Sequence, residues 1–249
     1  GWRGMFMVVG LLGLPLLLAW LKFYRDPDAR EAMLINTGKV MRPEGEQPKV
    51  SWGELFRRKT TWFMIAGNFC IMFTIWVYLT WLPGYLETSL GFSLKQTGFI
   101  ASIPFFAGII GVLCGGMLSD RLVRKGMNAV TARKVPIVAG AALAACFVMP
   151  IPFVDNSGVA IALLTLGYFC SQMPSGVIWT LVTDMAPKEQ VASLGAIQNF
   201  GGFLGAALAP IITGIILDAT GHFTNVFILG GILLFMGACC YGFFVRKNA

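Results

Sequence analysis

Seven uncharged runs divide this chain, at about 4–21, 61–82, 97–118, 135–154, 158–183, 191–217 and 226–245. No Asp, Glu, Lys, Arg or His interrupts any of them. Each is long enough to cross a bilayer, which takes about 20 apolar residues in helical form. Hydrocarbon offers no partner to open backbone groups, so each crossing segment is expected to be a helix that closes its own hydrogen bonds. Of the 249 residues, 12% are charged and 56% hydrophobic, against about 25% charged in an ordinary soluble domain. The expected fold class is therefore an all-α membrane protein. Pro150 and Pro152 at the end of one run, and Pro174 inside the next, predict kinked or broken turns there.

The basic residues fall on alternate connections. Nine lie between Lys22 and Lys59, five between Arg121 and Lys134, and Lys188, Arg246 and Lys247 follow. Arg3 and Lys95 are the exceptions. Positive charge marks cytoplasmic loops, so the segment 24–60 and the C-terminal tail 246–249 are expected in the cytoplasm. The net charge of +7 reads as a topology signal. A nucleic-acid partner would require a basic soluble domain, and the pattern contains none. The six cysteines all lie inside runs, where small buried thiols are expected, and their spacing fits no zinc or haem motif. No metal or cofactor is expected.

The opening GMFMVVGLLGLPLLLAWLKFY is too long for a signal-peptide core and has no small-residue cleavage site. It reads as a span cut at its front edge, so the chain is expected to be a piece of a longer protein. The stretch SWGELFRRKTTW brings Trp52, Leu55 and Phe56 near helical spacing ahead of a basic cluster. An amphipathic helix on the inner membrane surface is expected there. After it, six spans follow with short connections.

The sharpest motif is GGMLSDRLVRKG at 115–126. Gly111, Gly115 and Gly116 allow close helix approach. Asp120, where the helix leaves the membrane, can pair with nearby Arg or accept from a helix N-terminus. Spacing alone leaves two readings open: an ionic latch, or a plain basic loop. The motif resembles the signature that follows the eighth helix in the major facilitator superfamily. On that resemblance, 1–23 matches helix six, 24–60 the central loop, and 61–245 the C-terminal six-helix bundle of a twelve-helix fold. WVYLTWLPGYL at 76–86, TARKVPI at 131–137, GVIWTLVTDMAP at 176–187 and IQNFGG at 197–202 narrow the resemblance to the anion:cation symporter family. The resemblance implies import of a small organic anion, a sugar acid or related carboxylate, with protons. It also implies alternating access, a bacterial inner membrane and a missing N-terminal six-helix half as partner. A latch at Asp120, Arg121 and Arg124, joined by Asp184, is expected to close the cytoplasmic side.

Polar side chains inside spans are costly and usually face a cavity or another helix. Asn68, Gln172, Ser175, Trp179, Thr180, Gln198 and Asn199 are the mid-span candidates. Gln172, Ser175 and Trp179 recur at helical spacing and are expected on one face. Asn199 shares a face with Gly195, Gly202 and Ala206, which leaves room to reach a ligand or a neighbouring helix. Gln198 points about 100° away and is expected to be structural. The resemblance implies substrate contacts at Asn68, Trp179 and Asn199, with Ser175 and Gln172 alongside. Ile178 stands where that family often has a hydroxyl residue, which points to a less hydroxylated substrate or a different bonding pattern. Tyr78, Trp81 and Tyr85 are expected as interface aromatics, with an outer vestibule as the alternative for Tyr78.

Every acidic residue lies outside the spans, and the single histidine, His222, sits in a connection. A proton relay requires a titratable group at depth, so the proton carrier and the anion-binding cation are expected in the other half. No nucleophile with a base, paired carboxylates or metal cluster lies at depth, which argues against a membrane enzyme. A uniporter, an antiporter or a seven-helix sensor are the alternatives.

Overall fold

The computed structural model describes residues 1–25, 52–187 and 190–245. Most of the expected central loop and the tail 246–249 therefore lie outside the described residues. Seven helices in the described part are long and apolar enough to cross a membrane.

The chain divides into two units, Gly1–Gln47 and Pro48–Ala249. In the first, α1 (Trp2–Phe23) buries none of its residues. A helix apolar all round has its whole surface left for lipid or another chain. The second unit begins with the six-residue α2 (Trp52–Arg57). Its amphipathic character is visible in Leu55, fully buried, beside exposed Trp52.

Six spans follow. They are α3 (Lys59–Thr88), α4 (Leu94–Arg124), α5 (Ala129–Val148), the interrupted pair α6 (Ser157–Gln172) and α7 (Ile178–Met185), α8 (Val191–Thr220) and α9 (Thr224–Cys239). The helices run past the uncharged stretches into charged residues at several ends, because helical hydrogen bonding continues where the chain leaves the apolar layer. Side chains set several starts. Ser93 and Gln96 form a reciprocal capping box on α4, and Asn128 and Asn156 cap α5 and α6, satisfying otherwise orphaned N–H groups. Gly221 at φ 72 ends α8 in the left-handed conformation that glycine adopts without penalty.

The expected proline breaks are present as short 3-10 turns, Ile151–Phe153 and Met173–Gly176. Pro174 cannot donate a backbone hydrogen bond, and the helix restarts only at Ile178.

Packing follows the small residues. α3 packs most extensively on α8, α4 on α6, and α9 on α5 and α3. On α8, Gly201 and Gly205 lie against the backbone of Ile65 and Phe69. On α4, Gly111 and Gly115 lie against the carbonyls of Phe169 and Met173. Without a hydrophobic drive between helices in lipid, such close approach supplies the van der Waals contact that holds them. Thr74 Oγ1 donates to the Gly230 carbonyl at 3.0 Å and joins α3 to α9.

Two sequence expectations change. Tyr78 and Tyr85 are core residues, 3% and 5% exposed. Tyr78 packs on Tyr168 with ring centroids 5.1 Å apart, and Tyr85 on Phe227 at 4.9 Å. Their position along the chain suited an interface belt, but their helical face turns inward. Among the thiols, Cys70 and Cys170 are buried while Cys146 is exposed on the outside of the bundle.

Candidate functional site

The charged end of the six-helix unit is organised by a residue that the sequence reasoning did not single out. Arg133, in the first turns of α5, donates from one terminal nitrogen to Asp120 Oδ1 at 2.5 Å and to Ser119 Oγ at 3.0 Å. Its Nε donates to Asp184 Oδ2 at 3.2 Å. One planar guanidinium, whose donors are fixed in a fork, thus ties the end of α4 to the end of α7. The Arg133 side chain is 16% exposed and Asp120 is 60% exposed. Water screens the outer pair, so the cluster holds its geometry more through directed hydrogen bonds than through raw Coulomb attraction.

The expected partners of Asp120 behave differently. Arg124 Nε reaches only the main-chain oxygen of Asp120, at 3.4 Å. Arg121 is exposed and engages no carboxylate among the described residues. Asp184, expected to join the latch, does so through Arg133. The sequence holds the pieces, a basic residue opening the helix that follows Asp120 and an acid at a later helix end. Helical spacing alone does not reveal it, because its partners lie 13 and 51 positions away.

At mid-span, Asn68 is 2% exposed. Its Nδ2 donates to the Gln198 carbonyl at 3.0 Å, while its Oδ1 is buried without a partner. Gly202 provides the space: a Cβ there would collide with the Asn68 amide. Gln198 faces the other way and accepts from the Tyr241 hydroxyl at 3.4 Å. These two amides join α3, α8 and the end of the bundle. Asn68→Ala is expected to lower the melting temperature of the purified intact protein, through loss of about 1 kcal/mol of interhelical hydrogen bonding. An unchanged thermal unfolding curve would remove that role.

Asn199 lies a helical step from Gln198 and is half-buried. No hydrogen bond engages its side chain among the described residues. Trp179 is 53% exposed, and its ring edge lies 3.2 Å from where a Cβ on Gly195 would stand. Gly195 and Asn199 are one turn apart on α8. The structure therefore brings Trp179 and Asn199 to one surface.

Gln172 and Ser175 form a separate pair, with Ser175 Oγ donating to Gln172 Oε1 at 3.0 Å. The single face expected for Gln172, Ser175 and Trp179 is not formed. The 3-10 turn at Met173–Gly176 separates them, so Gln172 packs on Gly108 of α4 while Trp179 lies on α8. A cavity of about 290 Å³ opens at the other end of the unit, where Asp155 and His222 line it. None of the mid-span polar candidates borders it; Tyr85, expected as an interface aromatic, does.

A sequence profile described as Major Facilitator Superfamily matches residues 1–210 and 132–249. The chain belongs to the Major Facilitator Superfamily. Within that superfamily it is 38% identical over 252 aligned positions to a probable L-galactonate transporter of Escherichia coli (strain K12), covering 99% of this chain and 56% of the relative. It is 33% identical over 245 positions to a probable sulfoacetate transporter of Cupriavidus necator, covering 96% and 56%. The chain thus spans about half the length of the curated relatives it matches. Among solved structures, an inward-facing, unoccupied bacterial homologue of the human lysosomal transporter Spinster superposes with a TM-score of 0.58 at 16% identity. That match covers 97% of this chain and 58% of the other. It supports the Major Facilitator Superfamily fold alone. The relatives are transporters rather than enzymes, and the seven spans make this a membrane protein.

Proposed function

We propose that this chain is the C-terminal half of a secondary transporter that imports a small organic anion, a sugar acid or related carboxylate, with protons. The observation that carries the reading is the unengaged Asn199 amide beside the exposed Trp179 ring, on the glycine-bearing face of α8. A neutral amide and an aromatic surface suit the hydroxyl-bearing or apolar part of an organic acid, and transporter sites lie near the bilayer midplane between two repeats. The named relatives carry a hydroxylated sugar acid in one case and sulfoacetate in the other. The bacterial relatives support a bacterial inner membrane as its location.

In this reading the Arg133 end faces the cytoplasm, as the basic loops favour. The Arg133, Asp120 and Asp184 cluster holds that side closed while the central site faces outward. Asn68 offers its open Oδ1 to the substrate only after α3 and α8 shift. Proton coupling is assigned to groups beyond this chain, because its carboxylates and its histidine lie outside the apolar runs.

The test is uptake of labelled galactonate and sulfoacetate by the intact protein in proteoliposomes, with and without an inward proton gradient. Uptake of at least one acid, stimulated by the gradient, is the expected result. Gradient-indifferent uptake would favour uniport, and no uptake of any small organic acid would overturn the substrate class. Asn199→Ala is expected to raise KM about tenfold, the equivalent of one hydrogen bond to substrate, with little change in maximal rate. An unchanged KM would take Asn199 out of the site.

A further inference from the structure

Lys134 follows Arg133 directly, yet it works on a different part of the molecule. Its Nζ donates to two main-chain carbonyls, Gly242 and Val245, both at 2.8 Å. Gly242 lies within the final turn of the bundle, Cys240–Phe244, which is wound as a π-helix and continues α9, and Val245 is the residue that caps it. The last carbonyls of a helix have no partner within it, and leaving them open near the apolar layer is costly. A cation there also opposes the negative end of the helix dipole. Consecutive side chains on a helix diverge by about 100°. One turn of α5 therefore grips α4 and α7 through Arg133 on one side and the end of α9 through Lys134 on the other.

The same final turn is held on its far side. Tyr241, fully buried, donates to the Met64 carbonyl at 3.3 Å. Phe244 stacks on Phe63 with ring centroids 4.2 Å apart. π-turns are rare and frequently mark functional sites. Here the wider turn turns two carbonyls toward a single ammonium while Tyr241 stays in the core.

We infer that Lys134 is a positioning residue that couples the end of α9 to the Arg133 cluster, so that the two engage and release together. The inference rests on the reading of that cluster as a gate. When α5 moves and Arg133 leaves its carboxylates, Nζ is carried from the Gly242 and Val245 carbonyls in the same motion. The final turn then loses its donor just as the gate opens. Arg133 engagement is in turn favoured whenever the final turn is seated.

Hydrogen exchange on the intact transporter, followed by mass spectrometry, tests this directly. Lys134→Met keeps the length and removes the donors. Faster exchange is expected in both 240–245 and 118–134, with Lys134→Arg restoring most of the protection in both segments. The maximal uptake rate is expected to fall about fivefold with KM unchanged, which corresponds to a coupling in the range typical between linked sites. Faster exchange confined to 240–245 would overturn the inference and leave Lys134 as a local cap. Equal loss in the Arg and Met variants would also overturn it, since the effect would not then follow the donor. The exchange measurement does not depend on transport, so an intact protein that failed to move organic acids would sink the proposed function and still decide this coupling.

Discussion

Arg133→Met should cut the initial rate of organic-acid uptake by the intact protein by more than about tenfold, with the protein still present in the membrane. The guanidinium makes charge-assisted bonds to two carboxylates on two helices, and bonds of this kind are worth roughly 1.5–3 kcal/mol each before solvent screening. Its removal leaves Asp120 and Asp184 facing each other without a cation between them. The ends of α4 and α7 then repel, and under the proposed gate the closed state of this side loses its clasp. Arg133→Lys should restore little, because a single ammonium cannot span the two carboxylates in the fixed geometry of a planar fork. The measurement is uptake at matched protein abundance, together with alkylation from the cytoplasmic side of a cysteine placed in the central cavity. Normal uptake with normal protection would deny the cluster any part in gating.

Gly115→Ala should be the more damaging change for folding. An added Cβ would run into the Met173 carbonyl, with the Met173 Cα and carbonyl carbon each 2.9 Å away. These are backbone atoms and cannot swing aside as a side-chain tip would. Overpacking of a tight contact costs about 1–3 kcal/mol, which corresponds to a fall of roughly 2–12 °C in melting temperature for a unit of this size. Gly116→Ala is the control, since the nearest atom to its Cβ is the Gly176 carbonyl at 3.9 Å. Thermal unfolding of the two purified variants should separate them by several degrees. Equal behaviour would mean that α4 and the broken helix beside it can part without penalty.

The spans were legible because membrane crossing imposes a length and forbids charge, both of which are written locally in the chain. The breaks at Ile151–Phe153 and Met173–Gly176 were legible for a similar reason, through Pro150, Pro152 and Pro174. The Arg133 cluster was not, because its members come from three helix ends far apart in sequence, and nearest-neighbour spacing directs attention to Arg121 and Arg124 instead. Helical periodicity also misplaced Trp179 relative to Gln172, since it presumes an unbroken helix between them. The buried state of Tyr78 and Tyr85 escaped notice because depth along a span can be read from sequence, while the direction a face turns depends on which helices surround it.

Asn68, bridged to the Gln198 carbonyl, joins α3 to α8 at the depth of Asn199. Gly201 and Gly205 bring the same two backbones together on either side of it. Asn199 thus stands on a braced pair of rods. Trp179 stands on the eight-residue α7, beyond a break in its span. The two sides of the proposed site therefore differ in stiffness, with a rigid amide floor and an aromatic wall mounted on a joint. Size would be judged by the wall, which can yield, and the pattern of hydroxyl groups by the floor, which cannot.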